Sequence, residues 1–225
     1  MSCNPQQSAI QYRFAKPKEL HAIVDLVSRS FLEYPLFSFV FRDAFSSQAD
    51  YLKFIETLFS MYIRSIGRKN DCLVGVQNGT IVSMALVEKP KNRHVGLLNN
   101  IVSGGWRLPM QVGVRRLIDF SRICNETEKD CFARYSDAWY VELLAVKSDC
   151  RGQQLGSRMI HDCLIPYVRQ RGGTEITLMT NTEPNRRFYV KNGFTEFLSQ
   201  MVERNGITVG NWSYYMSLDD PTPAR

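Results

Sequence analysis

Apolar positions recur along the chain with two periods, near 2 and near 3.6 residues, and the switches between them outline the elements. The stretch "IQYRFA" alternates and predicts a first strand at residues 10–15. After Pro17, "KELHAIVDLVSRSFL" puts Leu20, Ile23, Val24, Val27 and Phe31 on one helical face. The aromatic-rich "EYPLFSFVFRDAFSS", broken by Pro35, predicts a lining loop with helical turns, and "QADYLKFIETLFSMYIRSI" predicts a second amphipathic helix. Two β-rich runs flank Asn78-Gly79 in "CLVGVQNGTIVSMALVEKP", the pattern of a hairpin whose turn needs two left-handed residues.

The pattern loosens from about 91 to 137, where Gly104-Gly105, Pro109 and Gly113 precede a helical run. This predicts a long helical insertion, serving either as a packing layer or as a wall over a bound molecule. Regularity returns with "AWYVELLAV" as a strand, "LGSRMIHDCLIPYVRQRG" as a helix ended by Gly172-Gly173, and "EITLMT" as a strand. Strand, helix and strand in succession imply a parallel pair with a right-handed crossover. "NRRFYVKNG" reads as a short helix, "FTEFLSQMVE" and "ITVGNWSYYMSL" as a closing antiparallel pair, and residues 219–225 as a tail. No internal repeat interrupts this order, so residues 1–225 are read as a single domain.

Composition narrows the class. With 44% apolar and 22% charged residues, the chain has the balance of a soluble globular protein. The opening "MSCNPQQSAIQYRF" has no basic-then-apolar leader pattern and no later run suits a bilayer, so a cytoplasmic protein with no membrane partner is expected. Six cysteines without a CxxC pair or nearby histidine spacing are expected to be reduced thiols, and no metal is expected. The formal charge of +6 favours an anionic partner. No basic stripe with interleaved aromatics marks a nucleic-acid partner. Lys147, Arg151, Arg158, Arg169, Arg171, Arg186, Arg187 and Lys191 cluster instead in the last third, which suits a phosphate-bearing ligand as well as solvated helix faces.

The turn "CRGQQLGSRM" between strand and helix is where such a ligand would sit, because the first N–H groups of a helix lack internal partners and carry positive potential. It is neither a GxxxxGK[ST] loop nor a GxGxxG fingerprint. Together, "LLAVKSDCRGQQLGSRM" and "NTEPNRRFYVKNGF" closely resemble the cofactor-binding and tyrosine-bearing motifs of the GCN5-related N-acetyltransferase (GNAT) superfamily. Within it, the Pro-Asn-then-FYxxxGF arrangement and the long insertion are similar to the puromycin-acetyltransferase-like small-molecule group. The superfamily's loop runs (Arg/Gln)-x-x-Gly-x-(Gly/Ala); Arg151 and Gly156 keep that pattern and Gln154 departs from it.

The resemblance implies an α/β (α+β) fold, with a mixed, mostly antiparallel central sheet flanked by helices and a splayed parallel strand pair at the cofactor site. It implies acetyl-CoA as cosubstrate. Its pantetheine arm would pair with backbone at Leu144, Ala145 and Val146; its pyrophosphate would lie on Arg151, Gly152, Gln153, Gln154, Leu155, Gly156 and Ser157; Asn185 and Tyr189 would complete the site. A backbone N–H near Leu144 would face the developing oxyanion. Tyr189 would protonate the leaving thiolate, its other role being a core ring. Glu142 is the candidate base, directly or through water, its other role being a surface or ion-paired glutamate. His21, His94 and His161 lack partners in sequence, and Cys150 reads as a plain thiol. The implied activity is transfer of an acetyl group to a primary amine of a small molecule, by direct attack in a ternary complex. A protein lysine or N-terminal acceptor and a non-catalytic acyl-CoA sensor are the alternatives, and a homodimer is an admissible assembly.

Overall fold

In the computed structural model, residues 9–90, 97–150, 152–204 and 206–219 are described. Seven strands, β1 (Gln11–Phe14), β2 (Asp71–Gln77), β3 (Thr80–Glu88), β4 (Trp139–Val146), β5 (Glu175–Thr180), β6 (Thr195–Arg204) and β7 (Ile207–Ser217), form one sheet in the order β1-β2-β3-β4-β5-β7-β6. Every neighbouring pair is antiparallel except β4–β5. The β2–β3 turn is made by Asn78 (φ 51°) and Gly79 (φ 73°), the two left-handed residues its dipeptide foretells.

One face of the sheet is covered by α1 (Leu20–Phe31), α2 (Pro35–Phe41), α3 (Gln48–Ile66) and α6 (Val114–Arg134), with the short α4 (Leu97–Val102) and α5 (Leu108–Val112) beside them. Val74, Met84, Leu86, Leu143 and Ala145 meet these helices in one core, rich in rings such as Phe37, Phe41, Phe54 and Phe59. The other face is covered by a helical run of α7 (Leu155–Arg158), a π-helical stretch (Met159–Leu164) and α8 (Ile165–Arg169), followed after β5 by α9 (Glu183–Lys191). Leu73, Ala85, Val87, Val141 and Ile176 pack there against Met159, Leu164, Val168 and Tyr189. The π stretch has a local cause. Pro166 has no N–H to give, and just before it the Ile165 N–H reaches back five residues to the Ile160 carbonyl.

This is one α+β domain with the mixed, mostly antiparallel sheet foreseen above. The aromatic-rich segment after α1 is more regular than a lining loop, because Pro35 occupies the first helical turn of α2, where a missing N–H costs nothing. Among the described residues no helix is long and apolar enough to cross a membrane, and no group of three or more His, Cys, Asp and Glu is placed to hold a metal ion. Cys72, Cys124, Cys131 and Cys163 are free. Cys150 corrects the expectation of a plain thiol, being fully buried and disulfide-bonded. Pairing depends on Cα–Cα proximity in the fold, which cysteine spacing alone does not reveal.

Candidate active site

Two departures from regular pairing in β4 build the site. The first is a bulge. Leu143 pairs with Leu86 and Val141 with Val87, so Glu142 is an extra residue opposite β3. The side-chain alternation therefore slips by one: Val141 packs under the α7–α8 run, whereas Leu143 packs under α1 and α3. Glu142 is thereby aimed at α3, where the Tyr62 hydroxyl donates a hydrogen bond to its carboxylate. Burial raises the Glu142 carboxyl to a pKa of about 8.

The second departure is the splay. β4 pairs with β5 only at Trp139↔Ile176 and Tyr140↔Thr177, although both strands continue beyond. On its other side β4 remains paired with β3 up to Val146, and the Lys147 N–H donates to the Val82 carbonyl. Antiparallel alternation then turns the peptide groups of Leu144 and Val146 away from β3, into the gap left by β5. Ser30 donates to the Val146 carbonyl there at 3.0 Å. The remaining peptide groups need partners of this kind, and an extended polar ligand can supply them.

The turn after β4 aims a short row of small residues at the same gap. Gln154 lies in the left-handed region (φ 57°, ψ 14°) immediately before α7. Gly156 sits where a Cβ would come within 3.0 Å of the Phe188 ring on α9, so a side chain there would push the two helices apart. Across the gap, the Thr182 hydroxyl caps α9 by accepting from the Asn185 N–H, and the Asn185 amide donates to the Thr180 hydroxyl. Tyr34 joins the same network through Thr180 and the Asn181 N–H.

These elements enclose three connected spaces. A cleft of about 740 Å³ runs along Leu144, Ala145 and Val146 and is closed by the turn at Gly152, Gln154, Leu155, Gly156 and Ser157 and by Asn185 and Tyr189 of α9. A second cavity of about 780 Å³ lies under α4–α6, beside Tyr62, Phe120, Glu128 and Glu142. Between them is a passage of about 70 Å³, lined by Glu142, Leu144 and Tyr189 and by the rings of Tyr34 and Tyr62. No described residue lines both large spaces, whereas each shares lining residues with the passage. Tyr189 is 7% exposed, and burial holds its phenol well above its ordinary value, so it keeps its proton at neutral pH.

Of the residues singled out from the sequence, Glu142, Leu144, Ala145, Val146, Gly152, Gln154, Leu155, Gly156, Ser157, Asn185 and Tyr189 therefore line the passage or the cleft. Gln153 lines neither, and Arg151 lies outside the described residues. The basic cluster disperses. Arg158 pairs with Asp162, Arg186 with Glu183 and Glu196, and Lys147 with Asp149; Arg169 donates to the Leu218 carbonyl, and Arg171 stacks on Tyr167. Of that set's described members, Lys191 alone lines the cleft. Nearness in sequence had grouped cations that the helices turn to different sides.

Sequence reading missed Tyr62, Glu88 and Glu128; Tyr34, which it offered as a lining ring of an acceptor pocket or a core ring, lines both the passage and the cleft. Glu128 left a trace: it falls in the helical row Leu117, Phe120, Cys124, Glu128 and Cys131, where an acid interrupts an otherwise apolar face. Burial, with the nearby Glu88 charge adding to it, raises the Glu128 carboxyl to a pKa of about 8.

Comparison with known proteins bears on what this arrangement is. Residues 114–196, from the start of α6 into β6, match the family model of the acetyltransferase (GNAT) domain. Over these residues the chain is similar to a GNAT acetyltransferase domain. Solved structures share the fold over nearly the whole chain. An agmatine N-acetyltransferase is 13% identical with a TM-score of 0.60, over 93% of this chain and 100% of that one. A Salmonella typhimurium protein solved with its cofactor acetyl-CoA is 14% identical with a TM-score of 0.53, over 95% and 96%. The ribosomal-protein-S18-alanine N-acetyltransferase of Escherichia coli is 14% identical with a TM-score of 0.53, over 96% and 99%. No curated protein matches by sequence.

Proposed function

We propose that this GNAT domain acetylates the primary amine of a small molecule by direct attack within a ternary complex. The observation that carries the proposal is the narrow passage. It brings the acids Glu128 and Glu142, the Tyr189 phenol and the strand-edge peptide of Leu144 together where the cleft along β4 meets the cavity under α4–α6. The similar fold of an agmatine N-acetyltransferase is consistent with an amine of this kind.

Acetyl-CoA, when bound, supplies a thioester whose carbonyl accepts the amine. The chain's residues have four tasks around it. The peptide groups of Leu144 and Val146 hold the pantetheine arm in the gap left by β5. The turn from Gly152 to Ser157 presents backbone N–H groups to the pyrophosphate. Glu142 accepts a proton from the incoming ammonium or its bridging water, leaving a nucleophilic amine next to the carbonyl. As the C–N bond forms and the C–S bond breaks, the Leu144 N–H meets the developing oxyanion and Tyr189 gives its proton to the thiolate. Confinement in the passage supplies proximity, so no acetyl group has to be carried on a cysteine.

With Glu142 as base, kcat/KM rises with pH through about 8 as its carboxyl ionises. Glu142→Gln removes that limb; an unaltered profile removes Glu142 from the mechanism. Tyr189→Phe lowers kcat by about 100-fold, within the usual range for a lost general acid, and leaves the acetyl-CoA Kd within about threefold. Incubation with acetyl-CoA and matched amine and peptide panels, read by mass spectrometry, tests the acceptor. Acetylated small amines are the expected products, and acetylation confined to peptides rejects the proposal.

A further inference from the structure

We infer that the acceptor is an amine with one cationic end and a long apolar body, the ammonium lying at the acids of the passage and the body running under α4–α6 to an exposed rim at Trp106, Val114 and Ile118. This rests on the acyl-transfer reading above and concerns which amines that site selects.

The cavity under α4–α6 changes character from one end to the other. Where it joins the passage, the two share Leu58, Tyr62, Phe120, Cys124, Glu128 and Glu142, which include both acids of the passage. Elsewhere its wall is mostly apolar, with Ile66, Leu108, Leu117 and Phe132 among its lining, and its described lining includes no lysine, arginine or histidine. The third acid of the lining, Glu88, is buried at the end of β3 and is not part of the rim. The large lining side chains that open to solvent are apolar: Ile101 (44% exposed), Trp106 (55%), Val114 (59%) and Ile118 (46%). Ser121 and Asn125, further along α6, are also exposed and carry no charge.

One face of α6 displays the gradient. Val114, Leu117, Ile118, Cys124 and Glu128 lie at helical spacing, apolar first and acidic last. Ile118 precedes Glu128 by about 15 Å along the helix axis, the reach of an extended chain of roughly ten to twelve carbons. A cluster of exposed apolar side chains marks a surface that something covers. Here the cluster belongs to the space that opens on the reacting groups, so the occupant it fits is the body of the acceptor itself. A polyhydroxylated or peptide-like body would give up water for a wall with few polar partners. Each methylene placed there instead gains about threefold in affinity.

The test measures kcat/KM for butylamine, hexylamine, octylamine and decylamine with acetyl-CoA, and for a methoxy-tri(ethylene glycol) amine equal in length to decylamine. Wild-type protein should gain about threefold per methylene through octylamine and favour decylamine over the glycol amine by tenfold or more. Trp106→Ala and Ile118→Ser, both at exposed positions, should each lower the decylamine-to-butylamine ratio by fivefold or more, with thermal melts showing that the variants are folded. Values that do not rise with length, a glycol amine used as well as decylamine, or a ratio unchanged in both variants overturns the inference. Calorimetric titration of the same amines separates this from failure of the acyl-transfer reading. Binding that tightens with length and weakens in Trp106→Ala upholds the apolar site even where no amine is acetylated. Acetylation of short amines with no dependence on length rejects the site and leaves the reaction standing. A dimer in light scattering that Trp106→Ala splits, again with no dependence on length, assigns the rim to a second copy of the chain and overturns the inference.

Discussion

At the scale of single residues, the site depends on side chains held in positions their types do not favour. Gln154 adopts a left-handed conformation that costs an L-residue about 1–2 kcal/mol. Glycine escapes that cost but loses about 0.5–1 kcal/mol of chain entropy on folding. Gln154→Gly should therefore leave the melting temperature unchanged or raise it by about 0–4 °C, with only a modest change in acetyl-CoA Kd from calorimetry. The family's glycine at this place is then a backbone preference that glutamine can meet at a tolerable energy. Gly156 is the opposite case. Its missing Cβ permits the approach of Phe188, so Gly156→Ala should weaken acetyl-CoA binding measured the same way. Tyr62 acts through Glu142. Its hydroxyl favours the ionised carboxylate, and Tyr62→Phe should move the pH–rate limb upward, above about 8, with the acetyl-CoA Kd held.

At the scale of elements, the short α9 is a positioning device whose first turn depends on the Thr182 cap. Thr182→Ala should cost about 1 kcal/mol, lower the melting temperature by about 2–4 °C, and weaken acetyl-CoA binding through Asn185. Elements of this kind were largely legible in the sequence. The helices from Leu20 and Gln48, the Asn78-Gly79 hairpin and the strand–helix–strand unit announce themselves through local period and turn chemistry, which need no knowledge of distant residues. The candidate site was legible to the extent that it is carried by contiguous motifs, from Leu144 to Ser157 and from Asn185 to Tyr189. What stayed hidden depends on register and distance. The bulge that aims Glu142 arises from pairing with β3. Its Tyr62 partner is 80 residues away. The cations grouped by sequence are separated by helix geometry.

At the scale of the whole molecule, Glu128 and Glu142 tie stability to pH. Both carboxyls stand near 8 in the folded protein, above the ordinary 4.5. The folded state therefore holds more protons between those values. Their stabilising contribution is complete below about 4.5 and is lost as pH rises through about 8. Chemical denaturation across pH 5 to 9 should show wild-type protein losing stability toward the alkaline end, with a shallower loss in Glu128→Gln; parallel curves would show that this carboxyl is not perturbed. The two large spaces, which share no described lining residue, have a kinetic consequence as well. With acetyl-CoA in the cleft and the amine in the cavity under α4–α6, as proposed, neither has to wait for the other to arrive or depart. Product CoA should compete with acetyl-CoA and not with the amine, and initial-rate plots should follow a random order of addition.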